Sequence, residues 1–200
     1  MVTLFFTAIT CLISFICFRS QKWVEMLILN PYRTIHNTEF HRMLSSGFLH
    51  ANFGHLLFNM LAFYSFGLAV ENYYNIYSVQ YGIYLYTAMY LGGIIFANIS
   101  TVIKFRNKSW YNSLGASGGV SAVVFAMIII RPYNRDILLL FFPVPLPNLV
   151  FGGLYLLYCV YMARTSKDNI NHDAHFYGAV WGILFTLMLR PNLIEGLFNY

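Results

Sequence analysis

The chain has 200 residues, of which 58% are hydrophobic and only 10% charged, with a formal net charge of +5 and a mean hydropathy of +0.59. A water-soluble domain carries about 25% charged residues, so this composition excludes an ordinary soluble domain and points to an integral membrane protein. No basic stripe is interleaved with exposed aromatics, so the excess positive charge is expected to meet lipid headgroups and not nucleic acid.

Six uncharged apolar segments can be drawn, over 2–18, 53–70, 81–103, 115–130, 148–162 and 174–189. They use nearly all of the chain, which predicts one integral-membrane domain over 1–200. Cys11, Cys17 and Cys159 all fall inside these segments and read as small apolar residues, not as a disulfide framework. The first segment has no basic leader and no small-residue cleavage pattern after it, so it is expected to be a retained helix. The connection 19–52 is too long for a tight hairpin and is rich in aromatics (Trp23, Tyr32, Phe40, Phe48). It is expected to be structured and to lie partly in the headgroup zone.

The second segment opens with His50-Ala51-Asn52-Phe53-Gly54-His55, followed by Asn59. His55 and Asn59 are four apart and share one helix face. Ionisable groups within a span mark a functional site by default, whereas Asn59 taken alone reads as a structural hydrogen-bond donor. His50 falls just outside this face and is expected to make a structural hydrogen bond.

The third segment, with Gly92-Gly93 and many tyrosines, offers packing and interfacial anchoring but no chemistry. The fourth begins at Gly115-Ala116-Ser117-Gly118-Gly119. A serine there has both a hydroxyl that can approach another backbone and an amide N–H left unpaired in the first helical turn. Those are the needs of a nucleophile with its own oxyanion donor, although small residues at a helix start serve plain helix packing as well. Arg131-Pro132-Tyr133-Asn134-Arg135 predicts a turn, after which 137–147, closing on Pro143, Pro145 and Pro147, is expected to skim the interface before the fifth segment.

The sixth segment opens with Asn171-His172-Asp173-Ala174-His175. His175, Gly178 and Gly182 share a face, and the fourth segment has its own small row of Gly118, Ala122 and Ala126. Two helices packed through these rows would bring Ser117 and His175 together. With six spans, the second, fourth and sixth helices start on the same side of the membrane. His55, Asn59, Ser117 and His175 each lie within about two turns of such a start, at similar depth. A serine, a histidine able to act as base and two side-chain donors form a set suited to acyl transfer.

These residues resemble the rhomboid family of intramembrane serine proteases over essentially the whole chain. The matching motifs are Gly115-Ala116-Ser117-Gly118, the run His50, His55 and Asn59, and Ala174-His175 with Gly178 and Gly182. The resemblance implies an all-α six-helix bundle with a membrane-embedded first loop, cleaving peptide bonds in or near transmembrane segments of membrane proteins, with no cofactor or metal. It implies Ser117 as nucleophile, His175 as general base and acid, and an oxyanion hole of the Ser117 amide with the His55 and Asn59 side chains. His50, Gly115, Gly118, Gly178 and Gly182 match structural positions.

Three departures stand out. His41-Arg42 replaces the family's frequent Trp-Arg, Ser121 replaces a common aromatic beside the catalytic histidine, and the chain reads as a minimal six-helix form. With Ser121 in place, Tyr177 is one residue that could hold His175. The usual bacterial arrangement, with the active site outward, puts nine Lys and Arg residues outside and three (Arg131, Arg135, Arg190) inside, against the positive-inside rule. Following the family nonetheless, the expected location is a bacterial inner membrane. Two other functions stay open: a metal-dependent membrane hydrolase using His50, His55, His172, Asp173 and His175, and a non-catalytic protein that binds membrane clients.

Overall fold

The computed structural model describes residues 1–136, 146–166, 168 and 170–197. The described residues hold long helices and a structured first connection. The helices are α1 (Val2–Phe18), α2 (Gln21–Leu27), α3 (Pro31–His36), α4 (Arg42–Ser45), α5 (Phe53–Tyr77), α6 (Gly82–Phe105), α7 (Ser117–Ile130), α8 (Asn148–Thr165), α9 (His172–Leu189) and α10 (Leu193–Gly196). A 3-10 turn, Ser46–Phe48, follows α4. The turn expected after α7 is present at Arg131–Asn134; 137–145, where an interface-skimming segment is expected, lie outside the described residues.

Asparagines open three helices. Asn30, Asn52 and Asn171 each accept the N–H three residues on (Arg33 at 2.9 Å, His55 at 2.9 Å and Ala174 at 3.1 Å), which satisfies one of the donors that a helix start leaves unpaired. Pro31 adds a preset φ at the start of α3.

α5 and α6 are each long and apolar enough to cross a bilayer, and α1 and α7 are apolar but shorter. α5 extends past the expected end at residue 70, through Glu71, because that carboxylate is buried usefully. It accepts the N–H groups of Val2 (2.7 Å) and Thr3 (2.9 Å) at the start of α1, and the Thr3 hydroxyl. An acceptor at a helix N-terminus is favoured by both the unpaired N–H groups and the helix dipole. A span defined by freedom from charge stops at residue 70, seven residues before the end of the helix at Tyr77.

α7 is the central post, buried along nearly its whole length. α5, α6 and α9 surround it, and the core they share includes Phe63, Val70, Tyr86, Tyr90, Ala122 and Ala179. The outside is apolar too: Phe15, Phe58, Ile83, Leu157 and Met188 are all exposed. An apolar core inside an apolar outer surface suits lipid and not water.

The first connection is structured, as expected. Arg42 is buried, with its guanidinium donating to the carbonyls of Glu25 (2.7 Å) and Ile28 (2.8 Å) and to the Glu39 carboxylate, which Arg33 also pairs. Desolvation opposes ionisation of Glu39, but hydrogen bonds from Arg42, Arg33 and Asn37 win and hold its carboxyl below the usual range. Arg42 therefore anchors this loop without help from a tryptophan at 41.

Candidate active site

The first connection acts as a mould for the loop that carries Ser117. Leu29 and Ser113 exchange two backbone hydrogen bonds (3.1 and 2.9 Å), and Gly115 N–H donates to the Ser46 carbonyl at 3.0 Å. The Asn30 amide donates to the carbonyls of Ser109 (2.9 Å) and Tyr111 (3.2 Å). The chain arrives at α7 with its path set, and Ser117 is the first helical residue.

His50 completes the mould. Ala116 N–H approaches His50 Nε2 at 3.5 Å, while His50 Nδ1 lies 3.0 Å from Ser14 Oγ, whose own proton goes to the Phe48 carbonyl at 2.9 Å. The one consistent proton arrangement has Nδ1–H donating to Ser14 and Nε2 accepting from Ala116. His50 must stay neutral for this. Burial, and secondarily the nearby His55, pushes its pKa down to about 3.

Gly115 has φ +127°, a conformation L side chains rarely adopt. A Cβ there would stand 2.9 Å from His55 Cε1, 3.2 Å from His55 Nε2 and 3.8 Å from Ser117 Oγ. The missing side chain thus leaves open a hollow that His55 and Ser117 share. His55 Nδ1 accepts the Ala51 N–H at 3.4 Å, which leaves the ring proton on Nε2, the nitrogen on the Gly115 side. Asn59, one turn further, is buried and donates one amide proton to the His55 carbonyl at 2.9 Å. Its other proton has no partner among the described residues.

α9 reaches α7 through the expected small residues. A Cβ on Gly178 would lie 2.2 Å from the Gly118 carbonyl oxygen, and one on Gly182 would lie 2.1 Å from that of Ala122. Only glycine permits backbones this close. The start of α9 is tied from two sides: Asn171 donates to Thr101 Oγ1 (2.8 Å) and Ser113 Oγ (3.3 Å), and Asp173 pairs with Lys104. His175 and Ser117 therefore stand on neighbouring helix starts, but no hydrogen bond joins them in this structure. Catalytic hydrogen bonds that tighten only with substrate are common.

Tyr155 of α8 holds His175, with its hydroxyl 3.2 Å from Nδ1. The same hydroxyl interacts with Ser121 and Cys159, and the ring packs on Phe125 and Phe151. Tyr177 does not do this work; it is exposed and packs edge-on against Phe96. Sequence reasoning missed Tyr155 because it is one of three tyrosines on an apolar helix, with no spacing that ties it to His175. Asn171 was visible as an Asn at a helix start. Nor are the five ligands of the alternative metal-hydrolase reading assembled as a set: His50 is committed to Ser14 and Ala116, and Asp173 to Lys104.

The model of the rhomboid domain matches residues 37–192, which include every residue of this site except Ser14, Leu29 and Asn30. The chain belongs to the rhomboid family. RHOMBOID-like protein 12, mitochondrial, of Arabidopsis thaliana is 31% identical over 163 residues, covering 76% of this chain and 47% of that protein. Rhomboid protein 1, mitochondrial, of Saccharomyces cerevisiae is 26% identical over 159 residues, covering 72% of this chain and 40% of that protein. The chain thus spans less than half the length of these rhomboid relatives. Both are mitochondrial, which overturns the expected bacterial inner membrane. The bacterial arrangement was carried over from a family pattern and not from any feature of the residues.

Proposed function

We propose that this rhomboid is a serine endopeptidase of a mitochondrial membrane, its six helices α1, α5, α6, α7, α8 and α9 spanning the bilayer as one domain over 1–200. The observation that carries the reading is the hollow at Gly115, where the Ser117 hydroxyl and the His55 Nε2–H face a common space at the start of α7. Ser117 Oγ attacks a substrate carbonyl as His175 Nε2 takes its proton. His175 Nδ1–H donates to Tyr155, and the proton on Nε2 then passes to the leaving amine. The Ser117 amide, His55 Nε2–H and the second Asn59 amide proton meet the oxyanion.

The substrates are membrane proteins. A peptide bond within an intact helix has its carbonyl hydrogen-bonded and its backbone shielded, so the substrate segment must unwind before attack. Gly or Pro in that segment lowers the cost, by about 1 and about 3 kcal/mol relative to Ala. Single-span proteins with small, helix-breaking residues near one membrane surface are the preferred class.

The test is labelling with a serine-directed fluorophosphonate in detergent. Wild type should label with or without a chelator, and Ser117→Ala should not. Labelling of Ser117→Ala at the wild-type level, or none of the wild type, returns the chain to the non-catalytic client-binding reading. Labelling or cleavage lost with chelator and restored by zinc favours the metal hydrolase.

A further inference from the structure

We infer that Cys159, His172 and His175 form a zinc site whose occupation switches the protease off; the inhibitory part rests on reading His175 as the general base. Cys159 on α8 and His172 in the first turn of α9 are buried, and His175 lies one turn beyond His172 on the same face. One nitrogen of each histidine and the Cys159 sulfur lie within 4.8 Å of one another.

His172 supplies the independent sign of a ligand. Its Nε2 bonds Asp168 Oδ2 at 3.1 Å, while Nδ1 is buried and without a hydrogen-bond partner among the described residues. A carboxylate on one ring nitrogen and a bare second nitrogen is the arrangement found around metal-bound histidines, where the carboxylate sets the tautomer and orients the ring. At His175 the nitrogen facing α8 is Nδ1, the one beside Tyr155. Two imidazoles and a thiolate select a borderline-soft ion such as Zn²⁺ over Mg²⁺ or Ca²⁺. Around zinc, such ligand atoms sit about 3.3–3.6 Å apart, so the cluster must close by about 1 Å. Rotation of side chains on the sparsely packed α8 supplies that movement.

Binding is an exchange of protons with no redox change. The Cys159 thiol releases its proton to solvent and forms the Zn–S bond, and both histidines bind as neutral imidazoles. A neutral imidazole carries one N–H. With the Nδ1 lone pair of His175 given to zinc, that hydrogen sits on Nε2, which then cannot take the Ser117 proton. Zinc at this place blocks the base without touching the nucleophile.

Cobalt(II) is the probe for binding, using purified Ser117→Ala protein so that no proteolysis intervenes. The expected result is one equivalent of cobalt with a thiolate charge-transfer band and a tetrahedral visible spectrum, both displaced by zinc. Cys159→Ala in that background should lose the thiolate band, and His172→Gln should weaken cobalt binding by about tenfold or more. In the active protein, micromolar zinc should inhibit cleavage and chelator should restore it. Cys159→Ala should keep its metal-free activity while needing at least about tenfold more zinc for inhibition. A missing thiolate band in the folded Ser117→Ala protein overturns the site, as does equal zinc sensitivity of wild type and Cys159→Ala. A wild type that cleaves nothing overturns the proteolytic reading, and the cobalt spectrum still decides the metal site.

Discussion

α9 and α8 both reach His175, but they are held in opposite ways. α9 carries the histidine and is pressed backbone to backbone on α7 at Gly178 and Gly182, with its start tied through Asn171 and Asp173. α8 carries Tyr155 and Cys159, yet only Asn148, Gly152 and Cys159 along it are buried. A helix seated on backbone contacts has almost no freedom to shift, since close-packed carbonyls have no flexible end to move aside. A helix seated on a few side chains can move with little lost. The geometry between Ser117 and His175 is set on the stiff side, and the tuning of His175 comes from the loose side.

The largest effect should come from the stiff pair itself. Ser117→Ala and His175→Ala are each expected to abolish cleavage while the protein stays folded, and the double variant should be scarcely worse than either single one. Cleavage of a model substrate in liposomes measures this, and additive losses would break the pair into independent contributors.

Next is the seam. Gly182→Ala drives a methyl into the Ala122 carbonyl, so a loss of about 3 kcal/mol is expected in a denaturant titration in micelles. A loss below about 0.5 kcal/mol would mean that the seam yields and the contrast with α8 is wrong.

The mould on the other side of Ser117 should show in the pH dependence. The pKa of His50 is depressed in the folded state, from 6.5 to about 3, so its contribution to stability is fully present above pH 6.5 and is lost as pH falls from there toward 3. Relative to pH 7, roughly 2 kcal/mol should be gone at pH 5. His50→Gln should lose that part of the pH dependence, and parallel wild-type and variant curves would remove His50 from the account.

On the loose side, Tyr155→Phe keeps the ring packing and removes the hydroxyl from His175 Nδ1. One lost hydrogen bond predicts about a tenfold fall in kcat with KM little changed, and a shifted pH–rate profile, since the charged imidazole loses its acceptor. An unchanged profile would reduce Tyr155 to packing. The smallest effect, and the sharpest contrast with Gly182, belongs to Gly153→Ala on α8. Nothing lies within 4 Å of the added methyl, so the helix should gain about 0.5–1 kcal/mol from reduced chain entropy.

Much of the site was legible because each part sits in a local pattern. Ser117 between glycines at a helix start, His55 and Asn59 four apart, and the Gly178 and Gly182 row are all spacings on single helices. The Gly118 and Gly178 rows also announced the closeness of α7 and α9, since small residues at helical spacing have few other uses in an apolar segment. Tyr155 left no such trace, because one tyrosine among sixteen in the chain looks like an interfacial anchor until its partner is known. Glu71 was misread as the end of a span, because a charge inside lipid is tolerable only with partners and those lie at the start of α1.

The sequence by itself determined the class of the protein, the approximate positions of its long helices, the tight approach of α7 and α9, and the family to which the chain belongs. Periodicity, small-residue spacing and motif order are properties of neighbouring residues and survive without coordinates. The tertiary structure alone decided what surrounds each polar group: Tyr155 and not Tyr177 on His175, His50 committed to Ser14 and Ala116, and Cys159 beside His172. Those pairings join residues far apart in the chain. In an interior where an unpaired polar group is costly, it is the packing of whole helices that selects the partner.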